Sequence, residues 1–270
     1  MVIDRRPAFL LIPGLIALAF LLIPLLALLA DAPLDSFTSI LTSATAREAL
    51  RLSLVTSIIA TFFATIVGVP LAWLLAHEAL PATRLIRALV IVPLLLPPVV
   101  SGVALLTAFG RRSLIGGWIY DATGWQFPFT TVGVVLAEAF VAMPFLIITL
   151  EGAFRSQDRD VEEAAATDGA NARQIFTRIT VPLVLPALLA GITLTWARAI
   201  GEFGATITFA GNLEGATQTM PLAVYTALET DRDSAIALSI TLLVVAVAIL
   251  VTLRGYYLPG RTNAAKAARQ

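Results

Sequence analysis

The chain has 270 residues, 58% of them hydrophobic and 13% charged, with a mean hydropathy of +0.89; this excludes an ordinary soluble domain and points to an all-α membrane protein. Eighteen basic residues balance eighteen acidic ones, so no net field draws the chain to nucleic acid, which is excluded as a partner. The absence of cysteine, with a single histidine, His77, and a single lysine, Lys266, excludes thiolate chemistry and leaves metal clusters and Ser/His/Asp triads almost nothing to work with; no metal and no cofactor is expected.

A helix rises about 1.5 Å per residue and the hydrocarbon is about 30 Å thick, so a span needs roughly 20 mostly apolar residues. Six stretches qualify, at about 8–30, 49–77, 86–109, 131–152, 183–210 and 235–253, and the whole chain, 1–270, reads as one transmembrane domain. The first stretch follows Arg5 and Arg6 as a leader would, but it is long for a leader and lacks a convincing small-residue cleavage site. Pro70, Pro93, Pro97, Pro98 and Pro144 fall within the stretches and are expected to kink or interrupt them.

Arginine and lysine set the orientation. With the N-terminus in the cytoplasm, that side receives Arg5, Arg6, Arg84, Arg87, Arg155, Arg159, Arg173, Arg178, Arg254, Arg261, Lys266 and Arg269. The outer side receives Arg47, Arg51, Arg111, Arg112 and Arg232, and Arg198 lies within a span. Both termini are therefore expected inside a cell membrane, with RTNAAKAARQ as a short solvated tail. His77, at a span end, reads as a packing residue, Trp73, Trp118 and Trp125 as interfacial aromatics, and Thr217, Gln218 and Thr219 as hydrogen-bonding loop residues.

Between the fourth and fifth stretches lies a polar segment, VEEAAATDGANARQIFTRI. It reads as a short helix, a break at Gly169 and a second helix. Asp160 and Glu162 suit a helix N-terminus, and the alanines leave a smooth, narrow surface. By physics alone it is either an ordinary amphipathic connector or a helix that lies in a cleft of another protein. Glu163-Ala164-Ala165, then Gly169, Ile179, Val181 and Pro182 are similar in type and spacing to the signature of permease subunits of binding-protein-dependent ABC importers, with Val181 where the family usually has leucine. The resemblance implies the MetI-like permease fold: six transmembrane helices and, in the loop 158–182, a cytoplasmic coupling helix. It implies as partners two copies of a cytoplasmic ABC ATPase, a second copy of the permease and an extracytoplasmic binding protein. Glu163, Ala164, Ala165, Gly169, Ile179 and Pro182 would then carry the coupling to the ATPase. A phosphate-cradling loop needs Gly-x-x-x-x-Gly-Lys-[Ser/Thr], and Lys266 sits instead in AAKAARQ, so the chain is not expected to be an enzyme.

The second informative stretch is WARAIGEFGATITFAGN, residues 196–212. Charges within a span are costly unless paired or facing water, so they mark function by default. On one continuous helix Arg198, Glu202 and Thr206 form a polar stripe beside a small-residue stripe of Ala197, Gly201 and Ala205. The stripe is either part of a translocation pathway or a brace, with Arg198 neutralised by Glu202 or by Glu138 of the fourth stretch. Gly-Glu-Phe-Gly and Ala-Gly-Asn resemble the molybdate and tungstate permeases, with the sulfate and thiosulfate permeases as near relatives. The implied cargo is a tetrahedral oxyanion, most simply molybdate, moved by alternating access. An ion-coupled secondary transporter would leave the Glu163 to Pro182 spacing unexplained, and an intramembrane hydrolase would have to recruit His77.

Overall fold

The structure, a computed structural model, describes residues 8–257. Arg5, Arg6, Arg261, Lys266 and Arg269, and with them the expected tail, lie outside the described residues. In chain order the helices are α1 (Ala8–Ala30), α2 (Phe37–Leu41), α3 (Ala44–Ala76), α4 (Thr83–Leu95), α5 (Pro98–Phe109), α6 (Leu114–Thr123) and α7 (Thr131–Arg155). There follow α8 (Arg159–Thr167), α9 (Ala172–Ile175), α10 (Val181–Ile200), α11 (Gly204–Phe209), α12 (Met220–Thr230) and α13 (Arg232–Tyr257). α9 runs into α10 through a π turn at Phe176–Thr180. No strand occurs among the described residues.

Five helical segments are long and apolar enough to cross a membrane: Phe9–Ala30, Ala44–Ala76, Thr131–Arg155, Ala172–Ile200 and Arg232–Thr252. The third sequence-predicted stretch, 86–109, is not one rod. α4 and α5 meet at 118°, because Leu96 precedes a proline and is extended at φ −72°, ψ 135°, a conformation that helix-disfavouring X-Pro steps impose. Pro70, Pro93 and Pro144, by contrast, lie inside continuous helices.

The centre of the molecule is the α3–α7 pair. Lipid tails are as apolar as leucine, so helices in a bilayer gain from close backbone approach rather than from burying large side chains. α3 accordingly buries Ala49, Ser53, Ala60, Ala64, Gly68 and Ala72. A Cβ on Gly68 would lie 3.3 Å from Leu146 of α7, and one on Gly191 of α10 would lie 3.0 Å from the same leucine. Leu75, Leu146, Ile147, Leu150, Phe154 and Val184 close this core at one end. At the other end, Ala46 and Ala49 pack with Met220, Ala223, Ala227, Ala235 and Leu238. α1 stands apart from both cores: no residue from Phe9 to Ala30 is buried, and an ion pair of 2.7 Å joins Asp31, just beyond it, to Arg232 of α13.

α5 and α11 pack side by side in the same direction. Pro98 of α5 faces Gly204 of α11, and Gly102 faces Ala205 and Thr208. A Cβ on Gly204 would lie 2.5 Å from the Pro98 Cβ, and one on Gly102 would lie 2.5 Å from the Thr208 Cβ. The substitution Gly204→Val should therefore overpack this contact and lower stability by about 1–3 kcal/mol. Thermal unfolding of the purified protein in detergent checks this, and an unchanged midpoint would contradict the packing described.

Candidate functional site: the polar segment and the intramembrane ion pair

The polar segment folds as two helices with a built stop between them. Asp158 caps α8, its carboxylate accepting the Asp160 N–H at 3.1 Å, where a negative charge also complements the helix dipole. α8 ends at Thr167, just before the break expected at Gly169. The cause is Gly169, at φ +89°. Its N–H bonds to the Ala166 carbonyl at 3.0 Å and the Ala170 N–H to the Ala165 carbonyl at 3.0 Å. This is the Schellman pattern, which needs a left-handed residue at that position. Asn171 and Gln174 then cap each other's backbone, at 2.9 Å both ways, to start the next helix. The spacing from Ala165 to Gly169 is thus the length of a helix terminus.

Glu163 and Ala164 are exposed, Ala165 is half-buried, and the space beside Gly169 is open. Ile179 is half-buried and Pro182 exposed at the first turn of α10. A proline ring clashes with the carbonyl four residues before it. Across Phe176–Thr180 the helix widens to π, with the Val181 N–H bonded to the Phe176 carbonyl, which accommodates Pro182. The same end of the molecule holds an ion-pair cluster: Arg87 Nε donates to Glu151 at 2.6 Å, and Arg155 lies 3.5 Å from Glu151 and 3.8 Å from Glu78.

The second site departs from the sequence expectation. Arg198, Glu202 and Thr206 do not share one helix, because α10 stops at Ile200 and α11 starts at Gly204. Residues 201–203 are irregular, so the polar stripe and the Ala197, Gly201 and Ala205 stripe are both interrupted. The two glycines of Gly-Glu-Phe-Gly bracket the break, a punctuation signal that a purely periodic reading passes over. Arg198 nevertheless pairs with Glu202 across the break, which decides between its two candidate partners. Glu202 is 1% exposed, whereas the Arg198 side chain is 28% exposed, so the pair points from the packed interior towards an open face. Glu202 Oε1 also accepts the Ala205 N–H at 2.8 Å, satisfying an amide that the interrupted helix leaves free.

Glu138 takes a different partner. Its carboxylate accepts the Thr56 hydroxyl at 2.9 Å across the α3–α7 seam and is 1% exposed. Thr206 is fully buried, and its hydroxyl, like those of Ser101 and Thr195, has no partner among the described residues. At the end of the molecule away from α8, Thr217, Gln218, Thr219 and Met220 are buried. There the Met220 N–H donates to Ser53 Oγ at 2.7 Å, and the Thr131 hydroxyl donates to the Ala216 carbonyl at 2.9 Å. Thr56, Ser53 and Thr131 carry these contacts and have no distinguishing sequence signal, since hydroxyls in membrane helices usually bond their own backbone. Among the described residues no group of acidic or histidine side chains could hold a metal ion.

The profile of the family described as "binding-protein-dependent transport system inner membrane component" matches residues 68–263. The chain belongs to that family. It is therefore a multi-pass inner-membrane component of a transport system. The molybdenum transport system permease protein ModB of Mycobacterium tuberculosis (strain ATCC 25618 / H37Rv) is 42% identical over 245 residues, 91% of this chain and 92% of that one. A probable sulfate transport system permease protein of Nephroselmis olivacea is 32% identical over 240 residues, 87% of this chain and 84% of that one. Among solved structures, a bacterial ABC transporter involved in the import of the acidic polysaccharide alginate superposes with a TM-score of 0.74 at 19% identity, covering 92% of each chain. The fold is that of an ABC importer permease.

Two substitutions separate the two contacts of Glu202. Glu202→Gln keeps an acceptor for the Ala205 N–H, whereas Glu202→Leu loses both contacts. The leucine variant should be the less stable by roughly 1 kcal/mol, the usual worth of a helix cap, read as the difference in denaturant midpoint; equal stabilities would remove the capping role.

Proposed function

We propose that the chain is the membrane-spanning permease of an ATP-driven importer whose cargo is molybdate, with tungstate accepted as an oxyanion of the same charge and shape. In this reading the whole chain acts as one transmembrane domain with both termini in the cytoplasm. Two copies form the pore, ATP is hydrolysed on two separate ATPase subunits, and an extracytoplasmic binding protein delivers the anion. The observation that carries the machine is α8: a capped helix ending in a built stop, with Glu163 and Ala164 exposed. The family places such a segment against an ATPase groove, where the alanines permit close approach and Glu163 offers a charge for a basic partner. The identity to the Mycobacterium molybdenum permease supports the cargo.

The residues of the second site serve the anion's passage. Arg198 presents its guanidinium at the open face, but its charge is largely answered by Glu202. A dianion passing it meets an attraction too weak to hold it, as a conduit requires. Thr206 and Glu138 are buried, so in this reading the anion meets them only when alternating access opens the packing around them. Sulfate has the same charge and shape as molybdate and is smaller, and the likeness to a sulfate permease makes it the second reading.

Cellular molybdenum, measured by elemental mass spectrometry in a deletion strain at trace molybdate, should fall about tenfold or more if this is the high-affinity route, while radiolabelled sulfate entry is unchanged. Loss of sulfate entry with normal molybdenum would transfer the assignment to sulfate. Uptake that persists without the ATPase subunit would overturn the importer itself. Gly169→Arg places a non-glycine residue at φ +89°, costing about 1–2 kcal/mol and projecting a long cation from the end of α8. It should abolish co-purification with the ATPase while membrane insertion is retained.

A further inference from the structure

We propose that Glu162, Thr180 and His77 form a joint that makes α8 move as one body with the ends of α3 and α10, which places all three as positioning residues. This rests on the reading of α8 as the coupling helix.

Glu162 and Glu163 are neighbours in sequence and about 100° apart around α8. Glu163 is exposed, while Glu162 turns back and is half-buried. Glu162 Oε1 accepts the Thr180 hydroxyl at 2.5 Å, and Oε2 lies 4.0 Å from His77 Nε2. Thr180 is 1% exposed and closes the π turn, which sets its side chain towards α8. Its carbonyl accepts the Gln157 side-chain N–H at 3.2 Å, so one residue holds both α8 and the linker before it. His77 caps the end of α3, with Nδ1 at 2.9 Å from the Trp73 carbonyl. A carbonyl only accepts, so Nδ1 donates there; Nε2 faces Glu162 at 4.0 Å, beyond hydrogen-bonding distance, and pairs with it only as an imidazolium. Trp73 stacks on His77 at 4.3 Å and meets Phe176 of the π turn edge-on at 6.3 Å.

The end of α3 and the π turn before α10 therefore converge on one carboxylate of α8. Without them α8 would hang between the linker 156–158 and the exposed turn 168–171. Hydrogen bonds to an ionised acceptor are roughly twice as strong as neutral ones, which suits a joint at a wet boundary. The joint lies outside the Glu163 to Pro182 signature except where Thr180 falls between Ile179 and Pro182, so its work is internal to the chain.

The test uses the full chain in lipid nanodiscs, and the assembled importer in proteoliposomes. Thr180→Val removes the hydroxyl at nearly constant volume, and Thr180→Ser restores it. In nanodiscs, amide hydrogen exchange across 159–167 should quicken about tenfold in Thr180→Val, the worth of a bond to a charged group, and return to wild type in Thr180→Ser. In proteoliposomes, molybdate carried per ATP hydrolysed should fall in Thr180→Val and recover in Thr180→Ser. If Thr180→Val fails to accumulate, Glu162→Ala removes the same bond from the half-exposed side and should give the same exchange. Wild-type exchange in Thr180→Val or in Glu162→Ala overturns the joint, as does equal loss of coupling in the valine and serine variants. If the wild type carries no molybdate, the cargo reading fails, and the exchange measurement still decides the joint.

Discussion

Everything in the membrane-buried part of this protein is constrained by one requirement, that a backbone amide or carbonyl in hydrocarbon must find a partner inside the protein. Two of its spans are broken, at Leu96–Pro97 and at residues 201–203, and each break frees donors and acceptors. The solution is to place the two broken elements together. Gly102 and Gly204 let α5 and α11 come into backbone contact, and Glu202 supplies an oxygen to the first free amide of α11. Arginine at a helix centre costs about 2.5–3.5 kcal/mol on insertion scales; pairing Arg198 with that same carboxylate offsets part of the cost of both charges.

Around this broken centre the rest of the chain divides into two ends with different chemistry. The end that carries α8 is rich in ion pairs among Arg87, Glu151, Arg155 and Glu78, which fix the termini of α3, α4 and α7. At the opposite end Ser53 accepts the Met220 N–H, Thr131 donates to the Ala216 carbonyl, Asn212 donates to the Thr226 hydroxyl, and Arg232 pairs with Asp31. There the Asp231 carboxyl is held below its ordinary range, chiefly by the Ser234 hydroxyl, as the chain turns from α12 into α13.

The positions of the long apolar helices were legible because hydropathy over some 20 residues is a strong, additive signal. The polar segment 158–182 was legible for a second reason: Ala165 to Gly169 to Asn171 spells a helix stop and restart in local chemistry alone. The break in the fifth span was written just as locally, in Gly201 and Gly204, but a helical period that fits Arg198, Glu202 and Thr206 conceals it. What sequence does not carry is pairing across distance. Thr56 and Glu138 are 82 positions apart, and neither residue type nor spacing marks them as neighbours. His77 looked like a lone packing residue because its relation to Glu162 exists only once α3 and α8 have been brought together.

The double attachment of Glu202 also bears on how the broken span is held together. One carboxylate holds the amide of Ala205 with one oxygen and the guanidinium of Arg198 with the other. Arg198 belongs to α10 and Ala205 to α11, so a single side chain in the break ties the end of one half-helix to the start of the next. The continuity that the backbone ladder loses at residues 201–203 is carried across by a carboxylate.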